Sequence, residues 1–249
     1  SAGITTLSMS RGTGFGDAID EALRKLPSKN SETVTEWIWL IHDDSAPAKS
    51  ALAELLTAIE NRPTVAIAGP KIKGWHDRNH LLEIGVSIAG NGARWTGLEY
   101  RDQDQGQRDG IKDELAVSTA GALIRRDVYE ELGGLDPNLS LFRDDVDFGW
   151  RANVAGHAVI SVSNAVIFHA EAAASERRSV DVSEAFLHRP LLLDRRNAAY
   201  VILANSSNWL LPILGLQLFA SALARAIGYL FAKLPGYAAD EIAAVGLLL

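Results

Sequence analysis

The first part of the chain alternates short apolar runs with stretches of helical apolar spacing. Residues 4–10 predict a short strand, and the glycine-rich turn after them leads into helical spacing over Asp17–Leu26. The apolar, aromatic run 37–41 is typical of a strand buried on both faces, and 64–72 predicts another strand, ended by its Gly-Pro pair. Between them, the leucines of 46–62 share one helical face. This order predicts βαβ units, and therefore an α/β fold with a mostly parallel sheet and helices on both faces.

The middle of the chain continues this pattern with shorter elements. Residues 74–107 are rich in glycine and charge and carry only short strand signals, whereas 115–139 predict a strand, a turn and a short helix. A helix is expected from about Asp145 to Ala155, followed by a β pair that ends at His169. These elements all belong to the same α/β pattern, so we expect one domain over residues 1–185.

The remaining segment, 186–249, is more apolar and is expected to form basic, apolar helices. Trp209–Ala232 is long enough to cross a bilayer as a helix. Arg225 and two polar residues spaced four apart share one of its faces, which an isolated lipid-facing span would not carry. The helix therefore lies in the membrane interface or packs against other spans, the alternative being a buried helix of a soluble protein. We expect membrane association.

Composition narrows the class of protein. The formal net charge of -7 argues against a nucleic-acid partner, because such proteins usually carry a basic field. The absence of cysteine excludes disulfides, zinc thiolates and cysteine nucleophiles, and agrees with a reducing cytoplasm. The chain starts at Ser1 without a signal-peptide pattern and ends on an apolar run. We therefore expect it to be a piece of a longer protein.

Acidic residues and histidines recur where the predicted strands end or a helix begins. They are His42-Asp43-Asp44, Asp144-Asp145 with Asp147, and His169. Each has a plain structural alternative, because aspartates often cap helices and a lone histidine is usually a satisfied structural residue. However, ligands on such sheets bind at the carboxyl ends of the strands, where all three groups can meet.

These acidic residues and histidines suit two different functions, which are binding a divalent cation and removing a proton. A hard divalent cation prefers carboxylate oxygens, and Mg²⁺ typically uses one or two carboxylates together with substrate phosphates. An imidazole in the ligand set favours Mn²⁺ without excluding Mg²⁺. Such a cation can neutralise a diphosphate leaving group, while a second carboxylate pair can deprotonate a hydroxyl as general base.

Four motifs, taken in order, resemble those of family 2 glycosyltransferases of the Rossmann-like GT-A fold. "SRGTGFGDAIDEAL" is similar to the family's "N-x-G-x-G-x-A-x-x-x-N" segment, and "WLIHDDSAP" to its metal- and diphosphate-binding "D-x-D" segment. "STAGALIRRDVYEELGGLDPNLSLFRDDVDFGWR" resembles the acceptor-side stretch that ends in an "E-D" pair, and "VIFHAEA" the later metal-binding histidine. The resemblance is greatest to galactofuranosyl- and rhamnosyltransferase-like enzymes of the bacterial cell envelope. It implies an inverting enzyme that uses nucleotide-sugars, here lacking the first strand, which holds the nucleobase.

The resemblance also implies roles for single residues. Asp44 is implied as the main metal ligand, His169 as a further ligand, and His42 as a weaker one because it stands where the family often has an aspartate. Asp145 is implied as the general base, with Asp144 in the place of the usual glutamate. The implied donor- and diphosphate-binding residues are Asp43, Asp44, Gly14 and Gly121.

Residues on the acceptor side carry open alternatives. Trp150 either stacks on an apolar sugar face or belongs to the core, and Arg151 is the basic residue of the helix after the acidic pair. Arg195 and Arg196 either meet phosphates, of lipid headgroups or of a polyprenyl-diphosphate acceptor, or lie on a solvated helix face.

The lead hypothesis is an inverting glycosyltransferase at the cytoplasmic face of the plasma membrane. Its expected partners are a nucleotide-sugar donor, a glycan or polyprenyl-linked acceptor and the membrane, and its expected cofactor is Mn²⁺ or Mg²⁺. A metal-dependent phosphohydrolase is a second possibility, although it usually needs ligands for two metals. A non-catalytic membrane-attached scaffold with a degenerate site is the third.

Overall fold

The computed structural model of the chain describes residues 5–10, 12–26, 34–99, 101–170 and 190–247. The helices are α1 Phe15–Lys25, α2 Ala51–Ile59, α3 Arg126–Glu131, α4 Asp144–Val154, α5 Pro190–Ala204, α6 Leu211–Phe231 and α7 Pro235–Gly246. The strands are β1 Trp37–Trp39, β2 Ser45–Pro47, β3 Val65–Gly74, β4 Leu81–Glu83, β5 Ser87–Ile88, β6 Arg94–Trp95, β7 Ile111–Asp113, β8 Leu123–Arg125 and β9 Ala158–His169.

The main sheet is mixed, and the prediction of a mostly parallel sheet is wrong. Its strands run in the order β1-β8-β3-β9-β2, with β4 paired to β3 and β7 paired to β9. The two long strands β3 and β9 are parallel, whereas the short strands pair with their neighbours antiparallel. Apolar runs alone do not reveal pairing direction, and most of the antiparallel partners, such as β2 and β9, lie far apart in the chain.

Several predicted boundaries also differ from the structure. Strand β3 continues through the Gly69-Pro70 pair that was expected to end it, and its register against β9 shifts next to Pro70. A proline is tolerated at such an irregularity because the local ladder hydrogen bond is already missing. The β pair expected before His169 is the single long strand β9, and the described residues 5–10 form no strand. Strand β1 is a half-buried edge strand, not one buried on both faces.

Helices cover both faces of the sheet, as predicted. Neighbouring residues of β8 and β9 alternate between two core clusters, because successive side chains of a strand point to opposite faces, and β3 contributes residues to both clusters. One cluster contains Ile19 of α1 and Phe148 of α4. The other contains Leu55 of α2. The α/β class with helices on two sides is therefore confirmed.

The C-terminal helices pack onto this domain through α5. Val201 of α5 lies in a buried cluster with Val86 and Val146, and Asn205 Nδ2 donates a hydrogen bond to Asp147 Oδ1 at 2.8 Å. Helix α5 in turn packs against α6 and α7. The predicted boundary between residues 185 and 186 lies outside the described residues, and the division into two units stays a prediction.

Candidate active site

The pairing of β2 with β9 brings the first two predicted site residues together. Ser45 of β2 lies opposite His169, the last residue of β9, so Asp44 stands beside the histidine. The backbone N–H of Ala170 donates to the Asp44 carbonyl at 3.0 Å, and His169 Nε2 lies 3.0 Å from Asp44 Oδ1. Backbone pairing thus fixes this contact.

His42 completes a group of three. Its ring stands edge-on to the His169 ring, with 5.6 Å between the centroids, and edge-on to Phe15 on its other side at 5.0 Å. His42 Nε2 lies 3.2 Å from Thr119 Oγ1. One ligand atom from each of His42, Asp44 and His169 lies within 4.8 Å of the others. We refer to these three residues as the His–Asp–His triad.

The triad suits a divalent cation. Burial, together with the neighbouring His169, lowers the pKa of His42 below its ordinary value. The imidazole therefore stays neutral near pH 7, which is the form that binds a metal. Two imidazoles and one carboxylate are a donor set suited to divalent transition metals such as Mn²⁺. The residues present thus fit the cation that the sequence predicts.

The acidic pair begins helix α4. Arg143, immediately before it, has φ 71°, a left-handed conformation that turns the chain sharply into the helix. Asp145 is 7% exposed and is held by Arg94, whose Nη1 donates to Oδ1 at 3.0 Å and whose Nη2 donates to Oδ2 at 2.5 Å. Arg94 Nη2 also lies 2.7 Å from Glu83 Oε2, so the arginine bridges two carboxylates.

The two carboxyls of the pair differ in pKa. Burial and the charge of Asp145 raise the pKa of Asp144 to about 7. Burial also opposes ionisation of Asp145, but the charge and hydrogen bonds of Arg94 outweigh it and hold the pKa of Asp145 below its ordinary value. At pH 7 Asp145 is therefore ionised, while Asp144 is close to its midpoint.

One cleft, with a volume of ≈ 680 Å³, contains both groups. Its lining includes the triad, the acidic pair and the predicted donor residues Gly14 and Asp43. Motifs that lie more than a hundred positions apart in the sequence therefore share one site, as the strand-end argument expected.

Sequence reasoning missed four charged residues of this cleft. They are Glu83, Arg94, Arg143 and Asp194. Glu83 and Arg94 stand outside the four motifs. Arg143 lies inside the acceptor-side stretch and Asp194 directly precedes Arg195, but neither follows a predicted strand, which is the signal that marked the other site residues. Arg143 Nε donates to Asp194 Oδ1 at 2.7 Å, and Asn197 Nδ2 donates to the carbonyl of Leu141 at 2.6 Å. Helix α5, which carries Asp194 and Asn197, thus holds the loop that leads into the acidic pair.

Three predicted site residues, Gly121, Trp150 and Arg151, do not line the cleft. Gly121 has φ 148°, and a Cβ at this position would collide with the side chains of Pro70 and Ile167. Its carbonyl accepts a hydrogen bond from Trp39 Nε1 at 3.0 Å. Trp150 packs against the buried cluster around Val146, which corresponds to its core alternative.

Arg151 has a structural task instead of an acceptor contact. Its Nε donates to Asp147 Oδ2 at 2.8 Å, and its two terminal nitrogens donate to the carbonyls of Leu132 and Gly134. The guanidinium thus fastens α4 to the loop after α3.

The two arginines of α5 are engaged within the protein. Arg195 Nε donates to Glu241 Oε1 at 2.8 Å, and Arg196 Nη1 donates to the carbonyl of Asn138 at 3.0 Å. Neither lines the cleft. The expectation that they meet phosphates is therefore not supported, because their charge and donors serve partners of the chain itself.

Comparison with known proteins decides the family. The model of the family "Glycosyltransferase like family 2" matches residues 1–184. The chain belongs to this family. This confirms the family that the four motifs indicated.

Individual relatives are more distant. The O-antigen biosynthesis protein RfbC of Myxococcus xanthus is 32% identical over 80 residues, which make up 32% of this chain and 6% of that protein. Among solved structures, the mannosyltransferase PcManGT from Pyrobaculum calidifontis in complex with GDP-Man and Mn²⁺ is 18% identical, with a TM-score of 0.45. The match covers 94% of this chain and 66% of that one. GalNAc-T7 with UDP, GalNAc and Mn²⁺ is 15% identical, with a TM-score of 0.47, over 65% of this chain and 31% of that one. The chain thus spans a small part of its curated relative.

Proposed function

We propose that the protein is an inverting glycosyltransferase, which moves a sugar from a nucleotide-sugar to a hydroxyl of a cell-envelope glycan or lipid-linked acceptor. The observation that carries this proposal is the single cleft in which the His–Asp–His triad and the acidic pair meet, in a chain of glycosyltransferase-like family 2. The first group suits a diphosphate with its cation, and the second suits a hydroxyl that must lose a proton.

The triad forms the donor end of the proposed site. His42, Asp44 and His169 would hold Mn²⁺ or Mg²⁺, and two imidazoles favour Mn²⁺. When bound, the cation supplies positive charge to the departing nucleoside diphosphate. Asp43 and Gly14 line the same cleft and remain proposed donor contacts.

The acidic pair forms the acceptor end. One of its carboxylates takes the proton of the acceptor hydroxyl, whose oxygen attacks the anomeric carbon opposite the diphosphate. The resemblance to the family assigns this task to Asp145. The charge of Arg94 and the mutual charge of the two carboxyls shift the pKa values of Asp144 and Asp145 in opposite directions.

The described residues favour this function over the other two hypotheses. A two-metal phosphohydrolase needs a second ligand cluster, and the described part of the chain holds one group of three metal-ligating side chains. A degenerate scaffold has no use for a complete triad with a neutral imidazole. The proposal therefore keeps a catalytic role.

Metal-dependent nucleotide binding tests the proposal. We expect calorimetry on the full-length protein to show binding of UDP, GDP or dTDP with Mn²⁺ present and its loss with EDTA, because diphosphate binding needs the cation. The matching nucleosides are the control, since they lack the diphosphate. Absence of binding to all three nucleotides would support the scaffold. Release of sugar phosphate from a nucleotide-sugar, faster than transfer, would support the phosphohydrolase.

We further propose that helix α6 attaches the protein to the membrane. Among the described residues, the segment Asn208–Phe231 is long and apolar enough to cross a membrane. Its polar residues face the protein, because Gln217 lies against Gly90 and Arg225 Nε donates to Glu241 Oε2 at 2.9 Å. Apolar side chains such as Leu216 and Leu230 are exposed. This one-sided arrangement favours a helix lying in the interface of the cytoplasmic leaflet.

Flotation with vesicles of phosphatidylethanolamine and phosphatidylglycerol tests this attachment. We expect the double variant Leu216→Glu/Leu230→Glu to lose most of its vesicle binding, because each change places a charge at the apolar interface. Val154→Glu is the matched control, since Val154 is exposed at the end of α4. Unchanged flotation of the double variant would contradict attachment through this face.

A further inference from the structure

His42 can bind a cation only through a ring nitrogen that carries a lone pair. A neutral imidazole has one N–H donor and one lone pair, and they belong to different nitrogens. A carboxylate such as that of Asp44 offers lone pairs on both of its oxygens, so it does not depend on a tautomer in this way. The group that bonds the other nitrogen of His42 therefore decides whether the imidazole can act as a ligand.

Thr119 contacts the His42 ring at Nε2. The antiparallel pairing of β1 with β8 continues beyond β1, because the backbone N–H of Leu40 donates to the Ala122 carbonyl at 2.9 Å. This places residues 119–122 beside residues 40–42, and Thr119 Oγ1 lies 3.2 Å from His42 Nε2. Thr119 is 6% exposed and lines the cleft. Its hydroxyl is thus held against the imidazole by the sheet.

Two further rings restrict the orientation of His42. The Phe15 ring of α1 lies 5.0 Å away at an interplanar angle of 81°, and the His169 ring of β9 lies 5.6 Å away at 65°. Together with Thr119, these contacts come from three separate parts of the fold. The imidazole is therefore fixed from several sides, with Nε2 directed at the hydroxyl.

The hydrogen bond between Nε2 and the hydroxyl can run in either direction, because a hydroxyl both donates and accepts. If Nε2–H donates to Thr119 Oγ1, then Nδ1 carries the lone pair and can bind a cation. If the hydroxyl donates to Nε2 instead, Nδ1 carries the proton and the lone pair of the imidazole is already used. Only the first direction is compatible with a His–Asp–His triad that holds a metal.

We infer that Thr119 accepts a hydrogen bond from His42 Nε2–H and thereby keeps the Nδ1 lone pair of His42 available to the cation. This inference rests on the proposed function, whose donor end is the triad, and it adds a positioning residue to that end. Thr119 acts through His42 and is not itself a ligand. Metal-binding histidines commonly depend on such an oxygen partner at their second nitrogen.

Mn²⁺ calorimetry on the full-length protein tests the inference. We expect Thr119→Val to lower Mn²⁺ affinity by about 10–100-fold, the usual cost of losing such a partner, because valine keeps the shape of threonine but lacks the hydroxyl. Thr119→Ser keeps the hydroxyl and should retain most of the affinity. Thr57→Val is the matched control, since Thr57 is exposed on α2 and does not line the cleft. Wild-type affinity in Thr119→Val would overturn the inference.

A double-mutant cycle with His42→Ala separates positioning from a purely structural role and from direct ligation by Thr119. We expect Thr119→Val to lower Mn²⁺ affinity when His42 is present and to cause no further loss in His42→Ala, because the lost hydrogen bond acts only through the imidazole. An equal loss in both backgrounds would contradict the inference.

Nitrogen-15 NMR of the metal-free, histidine-labelled wild type reads the tautomer without any substitution at position 119. The spectrum is recorded above the ordinary pKa of histidine, and His42 is recognised among the six histidines by the signal that is lost in His42→Ala. We expect the Nε2–H tautomer in the wild type and a mixture of both tautomers in Thr119→Val. The Nδ1–H tautomer in the wild type would overturn the inference. Failure of the proposed function shows separately, as a wild-type protein that binds no nucleotide with Mn²⁺.

Discussion

Replacing Asp44 with asparagine is expected to lower both Mn²⁺ affinity and sugar transfer by about 100-fold or more, since the loss of an outer-shell partner alone costs 10–100-fold. Asp44 contributes the carboxylate of the triad and lies 3.0 Å from His169 Nε2. The amide keeps the size of the side chain but removes its negative charge. Two neutral imidazoles then remain to hold a dication that must also attract a diphosphate.

The measurements for Asp44→Asn are Mn²⁺ titration by calorimetry and nucleoside diphosphate release from nucleotide-sugars. Asp113→Asn is the matched control, because Asp113 is an exposed aspartate of β7 that does not line the cleft. We expect this control to bind Mn²⁺ as the wild type does. Wild-type Mn²⁺ affinity in Asp44→Asn would show that the triad does not hold the metal, and the donor end would have to be placed elsewhere.

Glu241→Gln is expected to destabilise the protein by about 1.5–3 kcal/mol, the usual contribution of hydrogen bonds to a charged group. Glu241 is fully buried on α7 and accepts from Arg195 of α5 at 2.8 Å and from Arg225 of α6 at 2.9 Å. Two ion pairs of Glu241 therefore connect α7 to α5 and to α6. The amide would remove the counter-charge of two partly exposed guanidinium groups and replace one accepting oxygen with an N–H donor that faces them.

Urea unfolding measures this loss as a lower transition midpoint. Glu130→Gln is the matched control: Glu130 is exposed and pairs with Arg126 one helical turn away, so we expect a change of only about 0.3–0.5 kcal/mol. An unchanged midpoint in Glu241→Gln would mean that Arg195 does not depend on this carboxylate.

Local patterns predicted much of the fold. The helix expected from about Asp145 to Ala155 is observed as Asp144–Val154, and the strand expected to end at His169 does so. Such elements follow from apolar periodicity over a few neighbouring residues, which the sequence displays directly. The motifs also predicted that Asp44 and His169 share a site. The structure brings them together through the antiparallel pairing of β2 with β9, which the sequence did not predict.

Long-range pairing could not be predicted in the same way. Arg94 and Asp145 are 51 positions apart, and nothing in either neighbourhood marks the other as its partner. The same holds for Arg195 and Glu241, which are 46 positions apart. The direction of strand pairing depends on such distant contacts too, so the sheet was wrongly expected to be mostly parallel. An arginine in a sequence shows a charge but not the carboxylate that neutralises it.

The contact of α5 with the loop before α4 has a practical consequence. Asp194 and Asn197 hold that loop at the rim of the cleft, although they belong to the segment that the sequence sets apart as membrane-associated. A shortened protein that stops before α5, made for easier purification, would lose the support of one wall of its cleft. Inactivity of such a truncated enzyme would therefore reflect a collapsed rim and not a fault in the chemistry of its carboxylates.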